Sequence, residues 1–491
     1  MKEKKLLIMG VDGTAWHYIN YGLEKRKLPN IKKLMEKGIY GKLRSMIPPT
    51  TFPVWMCFAT GKNPAKIGHY GYVKKLRNSY ETNVDVLGCF LKLDSFWKIL
   101  NRNNIPVGIV NIPYNFPPEE TDKFMVSIAE SYHTPEGENT CYPPELEKEI
   151  TEKLGKREYE GSYAYFNKPI DEQLKESMNF IKNRSELNEF LLKKYGKDIQ
   201  VFMTVFFADR LHHFILDYDK LMVYYEELDR ELGRLIKNYN PDNIIFMSDH
   251  GGGKAVKEFY INEWLIKEGY LKVKGKKRIL NQVGINLENL QKTAAFLGID
   301  NWLVKKLGRD FLENKIRKNI PTKKTPIEDA EIDWSETKAC CLHDNGGIFI
   351  NLKGREPEGS VPGDQYGELR KEIMEKLRNL EDNGKKLEIE VHKREDIYKG
   401  LYLEDAPDIV YCIENFDYVP KTGLSGEVFV EPRDPGNHKL HGLFIASGTD
   451  FKTGKLQENA ELIDVVPTIL KMHGIEKDPD IDGKALDILK K

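Results

Sequence analysis

Short apolar segments alternate with longer amphipathic segments along the chain. The helical spacing of Leu221, Tyr225, Leu228 and Leu232 predicts one helix, and LPNIKKLMEKG (28–38) predicts another. Short buried strands separated by helices predict an α/β fold, with a mostly parallel central sheet covered by helices on both faces. The predicted strands are KLLIMGVD (5–12), VGIVNI (107–112), IQVFMTVFF (199–207), NIIFMSD (243–249), PDIVYCI (407–413) and GLFIASG (442–448).

The alternation of strand and helix patterns is interrupted between residues 254 and 335. This segment is polar, basic and locally helical, and strand patterns resume after it. We therefore predict a discontinuous core of residues 1–253 and 336–491, with 254–335 as an inserted cap or small subdomain.

Composition narrows the partners that the chain can have. Lys and Arg number 75 against 76 Asp and Glu, for a net charge of -1, so neither nucleic acid nor an anionic membrane is favoured. No apolar run approaches the roughly 20 residues of a membrane span. The six cysteines contain no CxxC pair, and the N-terminal MKEKKLLIMGVDG leads straight into a strand without a cleavage site. These features predict a cytoplasmic protein. They carry no signal for the oligomeric state.

Acids, imidazoles and hydroxyls follow the predicted strands. Singly, such residues are usually caps or turns, but the carboxyl ends of strands in an open α/β sheet share one edge. Asp209 and His213 also lie four residues apart, on one helical turn. Carboxylates with imidazoles and without thiolates predict a site for two divalent cations, zinc first, with manganese or iron as alternatives. The candidates are Asp12, Thr50, Thr51, Asp209, His213, Asp249, His250 and His438.

These residues stand in motifs whose order resembles a known family. The motifs are VDG (11–13), TTFPVW (50–55), DRLHH (209–213), SDHG (248–251) and GNH (436–438). In this order they resemble the alkaline phosphatase superfamily, and within it the type I phosphodiesterase/nucleotide pyrophosphatase branch and its prokaryotic members. The resemblance covers nearly the whole chain and implies an alkaline phosphatase-like fold.

The resemblance also implies roles for the candidate residues. Thr51 is the expected nucleophile, and a small phosphate ester or pyrophosphate is the expected substrate, hydrolysed through a phospho-threonine. Pro53 places Thr51 at a helix N-terminus, where an oxyanion is favoured. Thr50 matches no functional position of the family and is expected to contribute only a cap or a turn hydrogen bond. One metal is expected on Asp12, Thr51, Asp249 and His250, and the other on Asp209, His213 and His438.

The chain departs from the family at the position of its phosphoryl-binding asparagine. About twenty residues after the nucleophile, HYGYVKK has Gly71 and Tyr72 where that asparagine is expected. Tyr72 or a backbone amide is the predicted replacement. A phosphomonoesterase or phosphonate hydrolase of the same superfamily therefore stays open, as does a metal-binding protein without catalysis. A sulfatase is disfavoured, since Thr51 to Trp55 contains neither a convertible Cys or Ser nor the arginine.

Overall fold

The computed structural model describes residues 4–84, 88–127, 139–155, 168–274, 327, 330–343 and 347–490. The strands in this part of the chain are β1 (Leu6–Asp12), β2 (Gly38–Arg44), β3 (Val73–Lys75), β4 (Thr82–Val84), β5 (Val107–Val110), β6 (Phe124–Val126), β7 (Cys141–Tyr142), β8 (Val201–Phe207), β9 (Asn243–Met247), β10 (Gly251–Lys254), β11 (Lys257–Tyr260), β12 (Ala339–Cys340), β13 (Gly347–Ile350), β14 (Glu381–Asp382), β15 (Lys385–Lys386), β16 (Ile389–Lys393), β17 (Ile409–Ile413), β18 (Tyr418–Lys421), β19 (Phe429–Val430), β20 (Gly436–Lys439), β21 (His441–Gly448) and β22 (Gly454–Lys455).

The α-helices of the described residues are α1 (Trp16–Glu24), α2 (Pro29–Lys37), α3 (Thr51–Thr60), α4 (Pro64–Ile67), α5 (Phe96–Arg102), α6 (Glu145–Leu154), α7 (Ile170–Tyr195), α8 (Asp209–His212), α9 (Tyr218–Tyr239), α10 (Ile261–Lys267), α11 (Tyr366–Arg378), α12 (Arg394–Ile397) and α13 (Val465–Met472). The helices predicted at 28–38, behind Thr51 and before NIIFMSD are confirmed as α2, α3 and α9. None of these helices is long and apolar enough to cross a membrane.

Nine strands form the central sheet, in the order β22-β2-β21-β9-β1-β8-β5-β6-β7. Strand β1 pairs in parallel with both β8 and β9, and β5 pairs in parallel with β6 and β8. The mostly parallel sheet is thus confirmed, with β21 antiparallel between β2 and β9. Strand β21 runs the other way because it enters the sheet from β20, which lies at the edge where the parallel strands end.

Hydrophobic side chains fill both faces of the central sheet. In β1, Leu6 and Ile8 join the cluster formed with α3, α5 and α13. The alternate residues Leu7 and Met9 join the cluster formed with α1, α2, α7 and α9. Every residue of β1 is buried, as expected for a strand covered on both sides. Helices on both faces of the sheet are therefore confirmed.

A second, smaller sheet lies beside the central one. Its strand order is β12-β13-β17-β16, and all its pairs are antiparallel. The predicted strand at 407–413 is present as β17 but belongs to this second sheet. All five residues of β17 are buried, so its apolar pattern does not differ from that of a central strand. A hydrophobic cluster that includes Ile47, Val410 and Leu440 joins the central sheet to the second sheet.

The predicted insertion at 254–335 falls mainly on residues 275–326, which lie outside the described residues. Its described N-terminal part includes β11 and α10, where Phe259 and Trp264 are buried in the cluster around the second sheet. The assignment of 254–335 as a cap or subdomain, and with it the boundaries of the discontinuous core, stays a prediction.

Candidate metal centre

Three neighbouring strands bring the predicted acidic residues to one edge of the central sheet. Strands β8, β1 and β9 are adjacent and parallel. Asp12 is the last residue of β1, Asp209 follows β8 and opens α8, and Asp249 follows β9 after one intervening serine. The seven predicted ligand residues come together at this edge, with His438 supplied by β20. Strand β20 pairs with β10, which begins directly after His250.

The first group surrounds the imidazole of His250. Its Nε2 lies 3.3 Å from Asp12 Oδ1, 3.4 Å from Asp249 Oδ2 and 3.2 Å from Thr51 Oγ1. Asp12, Asp249 and His250 are all buried, and their ligand atoms lie within 4.8 Å of one another. These four residues are the ones expected from the sequence to share one metal.

The second group surrounds Asp209. Its Oδ2 lies 3.2 Å from His213 Nε2 and 3.2 Å from His438 Nε2, and the two imidazole nitrogens are 3.1 Å apart. The ring of His438 also stacks on that of His250, with centroids 4.0 Å apart. Asp209, His250 and His438 have ligand atoms within 4.8 Å of one another. The two groups therefore adjoin, with His250 between them.

Backbone carbonyls orient two of the histidines. His250 Nδ1 lies 2.9 Å from the carbonyl oxygen of Gly251, and His438 Nδ1 lies 2.7 Å from that of Pro49. A carbonyl oxygen only accepts, so each Nδ1 donates its proton there. Nε2 is then the atom that binds either a second proton or a metal. This is the arrangement that fixes the tautomer of metal-binding histidines.

No lysine or arginine balances the negative charge of the three aspartates at this edge within the described chain. Asp12 Oδ1, Asp209 Oδ1 and Asp249 Oδ2 are buried oxygens that accept no hydrogen bond. No lysine or arginine of the described chain forms an ion pair with any of these three aspartates. Buried carboxylate oxygens without a hydrogen bond are costly, so the site favours a bound cation. Three carboxylates and three imidazoles are a suitable donor set for divalent cations.

The pKa values of Asp249, His250 and Asp209 reflect the close approach of these charges. Burial and the neighbouring charge of Asp12 raise the pKa of Asp249 well above its ordinary value. Burial would lower the pKa of His250, but Asp249 and Asp12 raise it to about 10. Burial opposes ionisation of Asp209 as well, yet His438 and His213 hold its pKa well below the usual range. A metal would take the place of the proton on His250, since metal ligands must be deprotonated.

Thr51 is the first residue of α3 and is 6% exposed. Thr50 occupies the N-cap position as predicted, but its hydroxyl makes no capping hydrogen bond to the described chain, which corrects the expected role. The first N–H groups of α3 therefore have no side-chain cap, and they lie beside the hydroxyl of Thr51. The positive end of a helix favours an anionic group at this place.

Trp55 supports the site and was missed in the sequence. Its Nε1–H donates to Asp12 Oδ2 at 3.4 Å, and its side chain is fully buried. Trp55 stands four residues after Thr51 in α3, on the same face of the helix. That spacing is the signal by which the sequence points to it.

Gly13 stands where no side chain fits. Its N–H donates to Asp249 Oδ1 at 3.2 Å, and its φ of 73° lies in the left-handed region. A Cβ on Gly13 would lie 2.6 Å from the Cβ of Asp209 and 2.8 Å from its Oδ1. The glycine of VDG therefore allows the loop after β1 to approach Asp209 closely.

Tyr72, the predicted replacement for the family asparagine, lies beside the nucleophile position. Its ring is nearly parallel to that of Phe52, with centroids 6.2 Å apart, and Tyr114 contacts both rings. Phe52 directly follows Thr51 in α3. The structure thus places Tyr72 near the start of α3, and its role with the phosphoryl group stays a prediction.

Comparison with known proteins agrees with this architecture. The profile of the family described as type I phosphodiesterase/nucleotide pyrophosphatase matches residues 6–443. Phosphonoacetate hydrolase from Sinorhizobium meliloti 1021, solved with phosphonoformate, is 15% identical, with 94% of both chains covered and a TM-score of 0.55. Murine ectonucleotide pyrophosphatase/phosphodiesterase 5 is 13% identical, with 99% of this chain and 100% of that chain covered and a TM-score of 0.51.

An inactive form of the murine protein was solved in complex with AMP, and the human protein is similar at 14% identity with a TM-score of 0.50. At these identities the solved structures establish the fold alone. No curated protein matches the chain by sequence.

Proposed function

The chain belongs to the type I phosphodiesterase/nucleotide pyrophosphatase family, and from that premise we propose that it hydrolyses phosphate diesters or pyrophosphates with two divalent metal ions and a covalent phospho-threonine at Thr51. As a family member it is a phosphoric ester hydrolase. The proposal concerns the mechanism, the metal number and the preferred ester.

One observation carries the proposal. Two buried aspartates, Asp12 and Asp249, and the partly buried Asp209 gather with three histidines beside Thr51, whose hydroxyl lies 3.2 Å from His250, and no lysine or arginine of the described residues pairs with the three aspartates. A purely structural ion-pair network would contain its own cations. An excess of ligands around a hydroxyl at a helix N-terminus instead suits a nucleophile that acts beside bound metal ions.

We assign the candidate ligands to two cations. Asp12, Asp249, His250 and Thr51 would hold one cation, and Asp209, His213 and His438 the other. Bound divalent cations supply Lewis-acid stabilisation of phosphoryl oxygens and lower the pKa of a bound hydroxyl. Zinc is favoured by the imidazoles and carboxylates, with manganese or iron as alternatives.

Thr51 would make and lose the covalent bond. Its Oγ1 attacks phosphorus, the bond to the leaving oxygen breaks, and the hydroxyl proton passes to solvent. Water then attacks the phospho-threonine, which releases the phosphate product and restores the hydroxyl. The N-terminal N–H groups of α3 stabilise the anionic phosphoryl oxygens in both steps. Trp55 keeps Asp12 in place through the contact at 3.4 Å.

A chromogenic aryl phosphate diester, assayed with zinc or manganese and again with EDTA, tests the proposal. We expect metal-dependent hydrolysis by the wild type. We also expect a protein-bound phosphate after acid quench, absent from Thr51→Ala. Turnover that survives in Thr51→Ala would exclude the covalent route. A chain that binds metal but turns over neither diester nor monoester would be a binding protein.

A phosphonate hydrolase or phosphomonoesterase is the second candidate. By the family resemblance, Gly71 and Tyr72 stand where an asparagine is expected in the diesterases, and a phosphonoacetate hydrolase shares the fold. Parallel assays with phosphonoacetate and an aryl phosphate monoester separate the candidates by their kcat/KM. The cytoplasmic location also stays a prediction, which the six free cysteines support.

A further inference from the structure

A cavity lies behind the ribbon of β10 and β20, on the face opposite the metal ligands. Successive residues of a strand point to opposite faces. His438 faces the candidate metal centre, whereas the next residue, Lys439, donates to the carbonyl oxygen of Lys254 at 2.7 Å and to Asp417. A Cβ on Gly253 would lie 3.0 Å from Lys439 Cε and 3.7 Å from His17. Lys439 and Gly253 thus share the face that lines the cavity.

We call this cavity the basic pocket and define it by Trp16, Lys42, Tyr218, Lys254, Lys439 and His441. Its volume is about 530 Å³, which falls within the range of pockets that bind small organic ligands. Its other lining residues include Gly253, whose lack of a side chain keeps one wall open.

The charges of the basic pocket favour an anion. Lys42, Lys254 and Lys439 line it together with a single carboxylate, Asp417, so the lining has a net charge of +2 with its histidines neutral. Asp417 is engaged by Lys439, while Lys42 and Lys254 are exposed and form no ion pair within the described chain. The pocket therefore offers two lysines that a bound anion can neutralise.

Two further features of the basic pocket also favour an anion. Helix α1 begins at Trp16, its first turn contains no acidic residue, and no described side chain caps it. The positive end of a nine-residue helix dipole therefore faces the cavity. Burial, followed by the positive charges of Arg44 and Lys42, lowers the pKa of His441 at the rim. The contribution from Arg44 and Lys42 shows that positive charge extends to this side of the pocket.

Aromatic rings give the basic pocket a second kind of surface. The indole of Trp16 is fixed by its Nε1–H, which donates to the carbonyl oxygen of Gly41 at 2.7 Å, and by Tyr40 at 5.7 Å. Tyr218 is 37% exposed and is held by Tyr21 at 5.2 Å. Fixed rings with an accessible face stack on planar ligands.

We propose that the basic pocket binds a mononucleotide, with its phosphate on Lys42 and Lys254 and its base against the aromatic rings. The site is separate from the catalytic centre, because the ribbon of β10 and β20 lies between them. It does not depend on the proposed mechanism, since none of the residues that define the basic pocket is a metal ligand or the nucleophile.

Calorimetric titration of AMP into the EDTA-treated full chain tests the proposal, since removing metal weakens any competing phosphate site at the catalytic centre. We expect one AMP per chain, weaker binding of inorganic phosphate and no binding of adenosine. Lys42→Glu/Lys254→Glu should weaken AMP binding by at least about tenfold. The control Lys33→Glu/Lys371→Glu makes the same charge change at two exposed lysines elsewhere and should bind AMP like the wild type.

Thermal melts of both double variants verify that they fold. Absence of AMP binding to the metal-free wild type would overturn the proposal. So would equal weakening by both double variants, which would indicate a response to overall charge. Phosphate binding as tight as AMP binding would overturn the assignment to a nucleotide.

Discussion

Replacing Gly13 with alanine tests whether the position of Asp209 governs the candidate site. The added Cβ would stand 2.6 Å from the Cβ of Asp209 and 2.9 Å from its Cα. Carbon atoms in contact normally lie about 3.5–4.0 Å apart, so Asp209 or the loop after β1 must move by about 1 Å. The φ of 73° adds roughly 1–2 kcal/mol of backbone strain for a residue with a Cβ.

These two effects differ in their consequences for function. Backbone strain lowers the free energy of unfolding, whereas a shift of about 1 Å misplaces a group required in the transition state. A displacement of that size reduces kcat/KM by about 100-fold. We also expect metal bound by the group around Asp209 to be lost, because His213 and His438 both meet its Oδ2 at 3.2 Å.

A matched control is available at Gly474. Its φ is 72°, and a Cβ there would have no neighbour within 4 Å, so Gly474→Ala introduces the strain without the clash. Both variants should lose unfolding free energy in urea through backbone strain, Gly13→Ala the more because of its clash, but only Gly13→Ala should lose activity and metal in elemental analysis. If Gly13→Ala retains metal and diesterase activity within about threefold of Gly474→Ala, the close approach to Asp209 is not what the site requires.

Other predictions follow from the same contacts. Thr51→Ala should lower kcat by at least about 10³-fold in a diester assay, because nucleophile and metal act as a unit. Thr50→Ala should change both kcat and the melting temperature little, since the hydroxyl of Thr50 caps nothing in the described chain. Wild type should bind close to two divalent metal ions per chain in elemental analysis, Asp209→Ala about one, and EDTA should lower the melting temperature of the wild type, because metal binds only the folded chain. Asp408 is fully buried and accepts from Arg355 at 2.6 Å, so Asp408→Asn should lose roughly 3 kcal/mol of unfolding free energy. Burial opposes ionisation of Asp408, but Arg355 lowers its pKa. This stabilisation is therefore present above the ordinary carboxyl pKa of about 3.9, and it disappears as the pH falls through the lower pKa of the folded state. If the difference in unfolding free energy between wild type and Asp408→Asn in urea is the same at pH 6 and pH 3, that assignment is wrong.

The sequence predicts the parts of the fold that depend on burial on both faces. Strand β1 is buried on both faces, so its sequence is a continuous apolar run that is easily recognised. The end of that run then locates Asp12. The sequence does not predict which sheet a buried strand joins. Strand β17 is as buried as β1 yet belongs to the second sheet, because pairing partners distant in sequence leave no local pattern.

The candidate ligands could be predicted because each follows a strand or stands in a motif. The supporting contacts could not, because they depend on distances between elements. The closeness of Gly13 to Asp209 and the contact from Trp55 to Asp12 are examples. The missing capping bond of Thr50 is another, since the side chain is suited to a cap and only its placement decides.

The antiparallel entry of β21 has a consequence for biosynthesis. Strand β21 lies between β2 and β9, so the sheet lacks an interior strand until residue 448 has left the ribosome. His438 emerges just before it, whereas Asp12 emerges almost first. In a nascent chain the first group of ligands is therefore complete once His250 has emerged, whereas the second group, which already contains Asp209 and His213, is completed only by His438. Pairings between such distant segments form slowly. We therefore expect the second group to be completed late in synthesis, and chains truncated before β20 to lack His438 while they keep the other six candidate ligands.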